Sequence, residues 1–561
     1  MNKIIAKTME KRGIDLVSWH EINVPYYDKQ TNIDAMVAEL KHIKDTGMEI
    51  TVLPDFDMDG VASGVCGFAG LSELGFRVNL FVPDASKGYG FDRETIDCLL
   101  QIYPNTQVII TCDVGITQLD AIAYCKDKGL KVLVTDHHTE GERSKADIIV
   151  DPDAVDSTYE HEICGAFVFY QVLQYYADMY CNYFVQDQIR RLRVFAGLGT
   201  VSDLMPLLYE NRAVVRDAVY ILRNVYANGS LDFLRYLDGC DTYKLAFWGL
   251  YYILMMCEQK GIIKSERDIN EEFIGYYLAP MVNSCKRMNG DMKKAFGVFF
   301  QNDHEGNAEY LYTMNKRRKE LISQYMKDIW DNQPYAPYIY FTDADGGVLG
   351  LIAQSIMSRL GSSGPVFVGV KLPDGTISGS GRCPSWYPGV EMLKDKLTIA
   401  GHEGAFGWSA SSEDALKEVF DILSKDVPAV RATVPAQEFD YVLTTIPAVK
   451  TAGNADFLVD FDLFHDYLDE LDEYRPFGRA FELPTGYFLF NKHDIREVKL
   501  MGAAKEHVKI ALHNDMEILL WNQSNKANIL KEDRDFAVIG HISSSMYNDV
   551  ETINFIGELE V

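Results

Sequence analysis

Basic residues are scarce: 54 lysines and arginines stand against 82 aspartates and glutamates, a formal net charge of −28. That balance excludes a protein that grips polyanions with its whole exterior. A polyanion partner would need a locally basic channel in an acidic body, and acidic stretches such as Asp456 to Tyr474 read as solvated helix faces. The ten cysteines include no Cys-x-x-Cys pair, so neither a zinc knuckle nor a disulfide framework is indicated, and a reducing compartment is the default. Long apolar runs are missing as well. The longest, Leu245 to Cys257, falls short of the roughly 20 residues a membrane span needs and reads as a buried helix. The opening MNKIIAKTMEKRG has no apolar signal core, which gives the expectation of a cytoplasmic protein with no membrane association. Internal repeats and low-complexity linkers are absent too.

What remains is a chain of 561 residues, 47% of them hydrophobic, enough for about three or four domains with full cores. Residues 1–48 read as a helical segment. Residues 49–205 alternate strands and helices as in a doubly wound sheet, and 206–304 read as helical. One long helix over 305–333 connects to a second α/β domain at 334–430. Across 431–561, β-type segments such as HVKIAL, MEILLW and FAVIGHI suit an OB-like β-barrel.

Three segments carry chemistry. They are TVLPDFDMDG with Asp55, Asp57 and Asp59, VIITCDVGIT with Asp113, and KVLVTDHHTE with Asp136, His137 and His138. Each opens on an apolar run that reads as a buried parallel strand. Its polar residues fall just past the carboxyl end, where open α/β sheets bind ligands. Five aspartates and two histidines converging there form an oxygen- and nitrogen-rich pocket suited to a pair of divalent ions such as Mn²⁺ or Mg²⁺. Without cations, so much negative charge repels itself. A single aspartate after a strand is ordinarily a turn or helix cap. DFDMDG alone also resembles the first motif of haloacid-dehalogenase-like phosphatases. The adjacent His137 and His138 have no role in that pattern.

Asp-x-Asp-x-Asp-Gly, an isolated strand-end Asp and then Asp-His-His together resemble the DHH phosphoesterase superfamily. GLGTVSDLMPL supplies its fourth motif at Asp203, in a form close to that of the RecJ nucleases, and VDPD at Asp151 resembles the segment that follows, where Asn is more usual. GTISGSGR and AGHEGAFG resemble the DHH-associated domain, with Ser380, Arg382 and His402 in its motif positions. There the glycines are expected to let backbone approach a phosphate that Arg382 grips with its planar fork. PMVNSCKRM resembles the Asn-Ala-x-Gly-Arg stretch of RecJ, keeping Asn283 and Arg287 with Lys286 in the glycine's place. YRPFGRAFELP resembles the Pro-Phe-Gly-x-Gly-Asn-Pro segment before its OB domain, with Ala480 and Phe481 replacing glycine and asparagine. VPDASKGYG lacks the arginine usual before Gly-Tyr-Gly and leaves Lys87 as the nearest cation, without the bidentate fork.

The resemblance implies a two-metal phosphodiesterase. Asp55, Asp57, Asp59, Asp113, His137 and Asp203 are implied as metal ligands, with Asp113 as the bridge. His138 would bind the second ion or the attacked phosphate, and Asp136 would act beside it or orient it. Lys87, Asn283, Arg287, Ser380 and Arg382 are the implied substrate-binding residues, with His402 at the scissile phosphate or its leaving oxygen. Lys316, Arg317, Arg318 and Lys319 are further candidates for a basic lining, or an exposed helix surface. The implied activity is single-strand-specific 5′→3′ exonuclease cleavage of DNA in repair, recombination or replication, with the polarity taken from the family. A helicase or a single-strand-binding protein would be a natural partner. Alternatives are a DHH phosphodiesterase for cyclic dinucleotides or short oligonucleotides, and an inactive DHH binding scaffold.

Overall fold

The computed structural model describes residues 1–23, 30–83, 91–142, 144–227, 239–402, 404–434, 438–502, 505–532, 534–547 and 550–560. They form two compact units. One comprises Val17–Arg317 with Arg475–Phe481, and the other Met1–Leu16, Arg318–Tyr474 and Glu482–Val561.

The first unit is built on five parallel strands: β1 (Glu49–Pro54), β2 (Arg77–Leu80), β3 (Thr106–Cys112), β4 (Lys131–Thr135) and β5 (Ile148–Val150). Ile50, Val52, Leu53, Val108, Ile109, Ile110, Val132, Leu133 and Val134 are all buried. Such unbroken apolar runs belong to strands covered on both faces. On one face Leu53, Ile109, Val132 and Ile149 pack with Ile96 and Leu99 of helix Arg93–Ile102 and with Ala121 and Ile122 of helix Leu119–Asp127. The order β2-β1-β3-β4-β5 reverses direction at β1 and β3. A reversal of this kind leaves a crevice at the carboxyl ends of those strands. Helices follow, among them Asp241–Gln259, which buries the long apolar run. Among the described residues no helix is long and apolar enough to cross a membrane. Helix His304–Asp328 carries the basic cluster, where Lys316, Arg317 and Lys319 are exposed and Arg318 is buried. Three of the four thus sit on an exposed helix surface.

The second unit holds two sheets. One has the order β6-β7-β8-β10-β9, from β6 (Ile339–Phe341), β7 (Val366–Lys371), β8 (Ile377–Arg382), β9 (Thr398–His402) and β10 (Ala405–Ala410). The other runs β12-β11-β13-β17-β18-β16-β15-β14, from β11 (Tyr441–Thr444), β12 (Phe457–Leu458), β13 (Gly486–Phe490), β14 (Ile495–Met501), β15 (His507–Leu512), β16 (Glu517–Leu520), β17 (Phe536–Tyr547) and β18 (Val550–Glu560). HVKIAL, MEILLW and FAVIGHI contribute β15, β16 and β17. The expected barrel is not closed among the described residues: β14 and β12 end the sheet, because β13 takes β11 as a parallel neighbour and β11 takes β12. The first 16 residues pack here too. Arg12 donates to both oxygens of Asp440 at 2.8 Å and to the carbonyls of Glu482 and Leu483.

Candidate metal centre

The crevice gathers the motif residues. Asp55 follows β1, and Asp57 caps helix Met58–Glu73, accepting from Gly60 N at 3.0 Å. Asp59 lies in the first turn of that helix, buried, and accepts from Gly165 N at 2.7 Å and Ala166 N at 3.1 Å. Those two N–H groups open helix Gly165–Tyr180, whose amino end is a natural anion seat. Asp113 ends β3 with φ 61, a left-handed backbone that Asp and Asn tolerate better than most residues. His137 sits at the centre. Its Nε2 is 3.1 Å from Asp113 Oδ1, 3.6 Å from Asp203 Oδ2 and 3.7 Å from Asp59 Oδ2. Three overlapping triads have ligand atoms within 4.8 Å of one another: Asp113–His137–His138, Asp59–His137–Asp203 and Asp55–Asp57–Asp113. Asp113 and His137 each belong to two of them.

The electrostatics agree. Burial pushes Asp113 well above the ordinary carboxylate range, reinforced by Asp59, Asp57 and Asp55. Burial likewise raises Asp203 to about 8, with Asp59 and Asp57 adding and His138 and Arg479 opposing. Asp55 rises to about 6 for the same first reason, held back by Lys286. Buried carboxylates that repel one another hold protons unless cations neutralise them. Asp113 Oδ1 is buried with no hydrogen-bond partner, as befits an atom kept for an ion. The residues present therefore fit a pair of oxygen-preferring divalent cations with histidine at the join.

Asp136 has a different place. It accepts from Ile116 N at 3.0 Å, His137 N at 2.8 Å and His138 Nδ1 at 2.7 Å. Burial alone would raise it, but the His138 bond and charge and the Ile116 N–H outweigh burial and lower it. Asp136 thus stays ionised and orients His138, whose own pKa the same bond lifts to about 9. The partner atom left on His138 is Nε2.

Two supports were not read from the sequence in these roles. Asn283, expected at the substrate, accepts from Met58 N at 2.7 Å and so braces the Asp55–Asp59 loop. A Cβ at Gly199 would collide with Asp59 Oδ1, so this glycine is the space in which Asp59 turns. The Gly-x-Gly of GLGTVSD was the available signal, legible only once helix Arg193–Ser202 is set against Asp59. Lys286 stands 3.9 Å from Asp55 and over the Phe56 ring. Arg287 is half-buried, with Asp57 as its nearest opposing charge.

In the second unit, Ser380 and Arg382 lie two apart on β8. Ala405 pairs with both Arg382 and His402, so the two motifs share one row across β8, β10 and β9. Two of the glycines in these motifs also have a packing task. Cβ atoms at Gly379 and Gly381 would strike the Val368 carbonyl and the Phe406 ring, so these glycines serve strand packing. Lys87 lies outside the described residues.

Comparison with known proteins follows the geometry. Residues 49–194 match the DHH family, N-terminal domain, and 456–558 match the RecJ OB domain. Fold and site thus place a DHH-type domain and an OB-type domain in one chain. In this pairing of domains the chain is similar to RecJ. It is 22% identical over 573 residues to the single-stranded-DNA-specific exonuclease RecJ of Bacillus subtilis, covering 97% of this chain and 66% of that protein. It therefore spans about two thirds of that relative's length. The crystal structure of RecJ from Thermus thermophilus in complex with Mn²⁺ superposes with a TM-score of 0.70 at 19% identity, covering 100% of this chain and 76% of that one. The Mg²⁺ complex gives 0.66 at 19% identity, covering 99% and 74%.

Proposed function

We propose that this chain is a metal-dependent exonuclease that hydrolyses single-stranded DNA from the 5′ end. The observation that carries the reading is Asp113, a buried carboxylate shared by two ligand triads with one oxygen lacking any hydrogen-bond donor. Asp55 and Asp57 would hold one ion, Asp59, His137 and Asp203 the other, and Asp113 would be shared between them. Two divalent cations supply Lewis acidity there, neutralising the phosphodiester and easing deprotonation of the attacking water.

The chain's own residues do the positioning on which phosphoryl chemistry depends. Asp136 fixes the imidazole of His138 so that Nε2 can meet an ion or a phosphate oxygen. Arg287, half-buried beside Asp57, offers a planar fork to the strand's phosphates. Asn283 keeps the Asp55–Asp59 loop in register by holding Met58 N. Ser380, Arg382 and His402 form a second set of phosphate contacts in this reading, and Lys87 is the candidate cation for the 5′ end. A helicase or a single-strand-binding protein is the partner class that would deliver the strand. The ten free cysteines support a reducing, cytoplasmic setting.

The test uses a 5′-labelled single strand with Mn²⁺, beside the annealed strand, a cyclic dinucleotide and an Asp113→Ala control. Immediate release of labelled mononucleotide from the single strand alone, lost in the variant, is the expected result. Hydrolysis of the cyclic dinucleotide with intact strands would move the chain to the small-substrate phosphodiesterases. Strand binding without any cleavage would make it an inactive scaffold.

A further inference from the structure

Seven residues, Arg475–Phe481, pack with the first unit although the chain on either side of them belongs to the second. Their anchors are unusually polar for so short a strap. Buried Glu271 accepts from the Arg475 guanidinium and from Phe477 N at 2.9 Å. Gly478 and Phe481 exchange two backbone bonds of 3.0 Å around Ala480, which is left-handed at φ 67. The Phe477 and Phe481 rings stack at 5.6 Å. Arg212, with no exposed surface, lies 4.0 Å over the Phe481 ring and donates to the Pro476 carbonyl and, at 2.7 Å, to Asn23. A desolvated cation on an aromatic face is a strong seat. Phe481, one of the two residues that depart from the family's pattern, is what makes it.

At the tip is Arg479. Its carbonyl accepts from Leu207 N at 2.8 Å, and its guanidinium forks onto Glu162 at 2.7 and 3.2 Å. The Glu162 carbonyl in turn accepts from Asn211 at 2.7 Å. Leu207 lies in the loop that runs from Asp203 to helix Tyr209–Ala227. That loop carries Leu204 at φ 54 and Tyr209 at φ 46. Bulky residues in the left-handed region persist only where surrounding structure imposes them.

We propose that Arg475–Phe481 is a positioning strap for Asp203, with Arg479 as its working residue, so that one ion site is complete only while the strap is docked. The proposal rests on the metal-centre reading above. Arg479 acts through Asp203 and touches neither ion nor substrate. Residues that orient a ligand from behind change metal affinity by about 10–100-fold when removed.

The test is Mn²⁺ binding by the full chain, measured by calorimetry and by electron paramagnetic resonance. It compares wild type with Arg479→Ala, Phe481→Leu, Asp203→Asn and the Asp203→Asn/Arg479→Ala pair. Arg191→Ala, which breaks an exposed ion pair with Asp187, is the control. Arg479→Ala and Phe481→Leu are expected to weaken one ion about tenfold or more while the other stays at wild-type affinity. Arg479→Ala should add nothing once Asp203 is already Asn, since a residue acting through another shows no separate effect in such a cycle. Wild-type affinities in both strap variants, or a further loss on top of Asp203→Asn, would overturn the strap. If Phe481→Leu unfolds, Arg479→Ala decides, because its side chain is about half exposed and leaves no buried gap. Wild-type protein that takes up no Mn²⁺ would overturn the metal centre itself, and the strap with it.

Discussion

His137 Nε2 stands 3.1 Å from Asp113 Oδ1, yet that oxygen has no hydrogen-bond partner. Two electron-pair donors so close, with no proton properly placed between them, are arranged as atoms that share a cation.

Asp113→Asn should therefore split stability from activity. Asparagine tolerates the left-handed backbone at this position and removes a buried, repelled carboxylate. Metal-free variant should unfold at a higher temperature than metal-free wild type, by several degrees for a gain on the order of 1–2 kcal/mol. Strand cleavage should fall at least about a thousandfold, the scale of removing a principal electrostatic stabiliser. Calorimetric melts and initial rates check the pair. A variant less stable than wild type would mean the carboxylate is satisfied as it stands.

Asp151 gives a pH signature away from the ligands. Burial and the charge of Asp136 raise it to about 8, and its Oδ2 has no hydrogen-bond partner. Its folded pKa lies above the unfolded value of about 3.9, so the folded state binds the extra proton between them. The stability tied to that proton is present below about pH 4 and is lost as pH rises through 8. Asp151→Asn, the residue more usual at this position in the family, should leave stability near pH 4.5 little changed. At pH 8 it should add on the order of 1–2 kcal/mol. Equal shifts at both pH values would contradict the assignment.

Gly199→Ala changes no ligand. Its new methyl group would push Asp59 Oδ1 off Ala166 N and disturb the bond of Oδ2 to Gly165 N. Mn²⁺ affinity should drop roughly tenfold or more with the fold retained. Calorimetric titration beside circular dichroism reads both.

Arg287→Lys keeps the charge and loses the fork. If the side chain grips phosphate bidentately, KM for a single strand should rise about tenfold in the lysine variant and further in Arg287→Ala, with a smaller change in kcat. Similar KM values in Arg287→Lys and wild type would reduce Arg287 to a general positive field.

The parallel strands and the acids at their ends could be read from sequence, because apolar runs and strand-end acids are local signals. Asp203, which caps helix Arg193–Ser202, joined the candidate set only through the family resemblance. Legibility stopped where a residue's task depends on a distant partner. Asn283 shows nothing in the sequence of the Met58 N–H that its side chain accepts. Nothing in Gly379 and Gly381 themselves shows that Val368 and Phe406 need the space beside them. Asp136 was expected to act beside His138 or orient it, and the sequence does not say that its oxygens are taken by Ile116 N and His138 Nδ1. The barrel was expected from β-type segments and from the segment that precedes them, and neither reveals that β13 pairs with β11.

Asp57 caps one helix while Asp59 occupies the amino end of another. Each helix start brings a partial positive charge to bear on a carboxylate. Some of the repulsion is thus relieved by backbone alone, before any cation arrives. The starts of two helices share with the ions the work of holding these acids together, so part of the geometry of the centre is written into backbone rather than into metal.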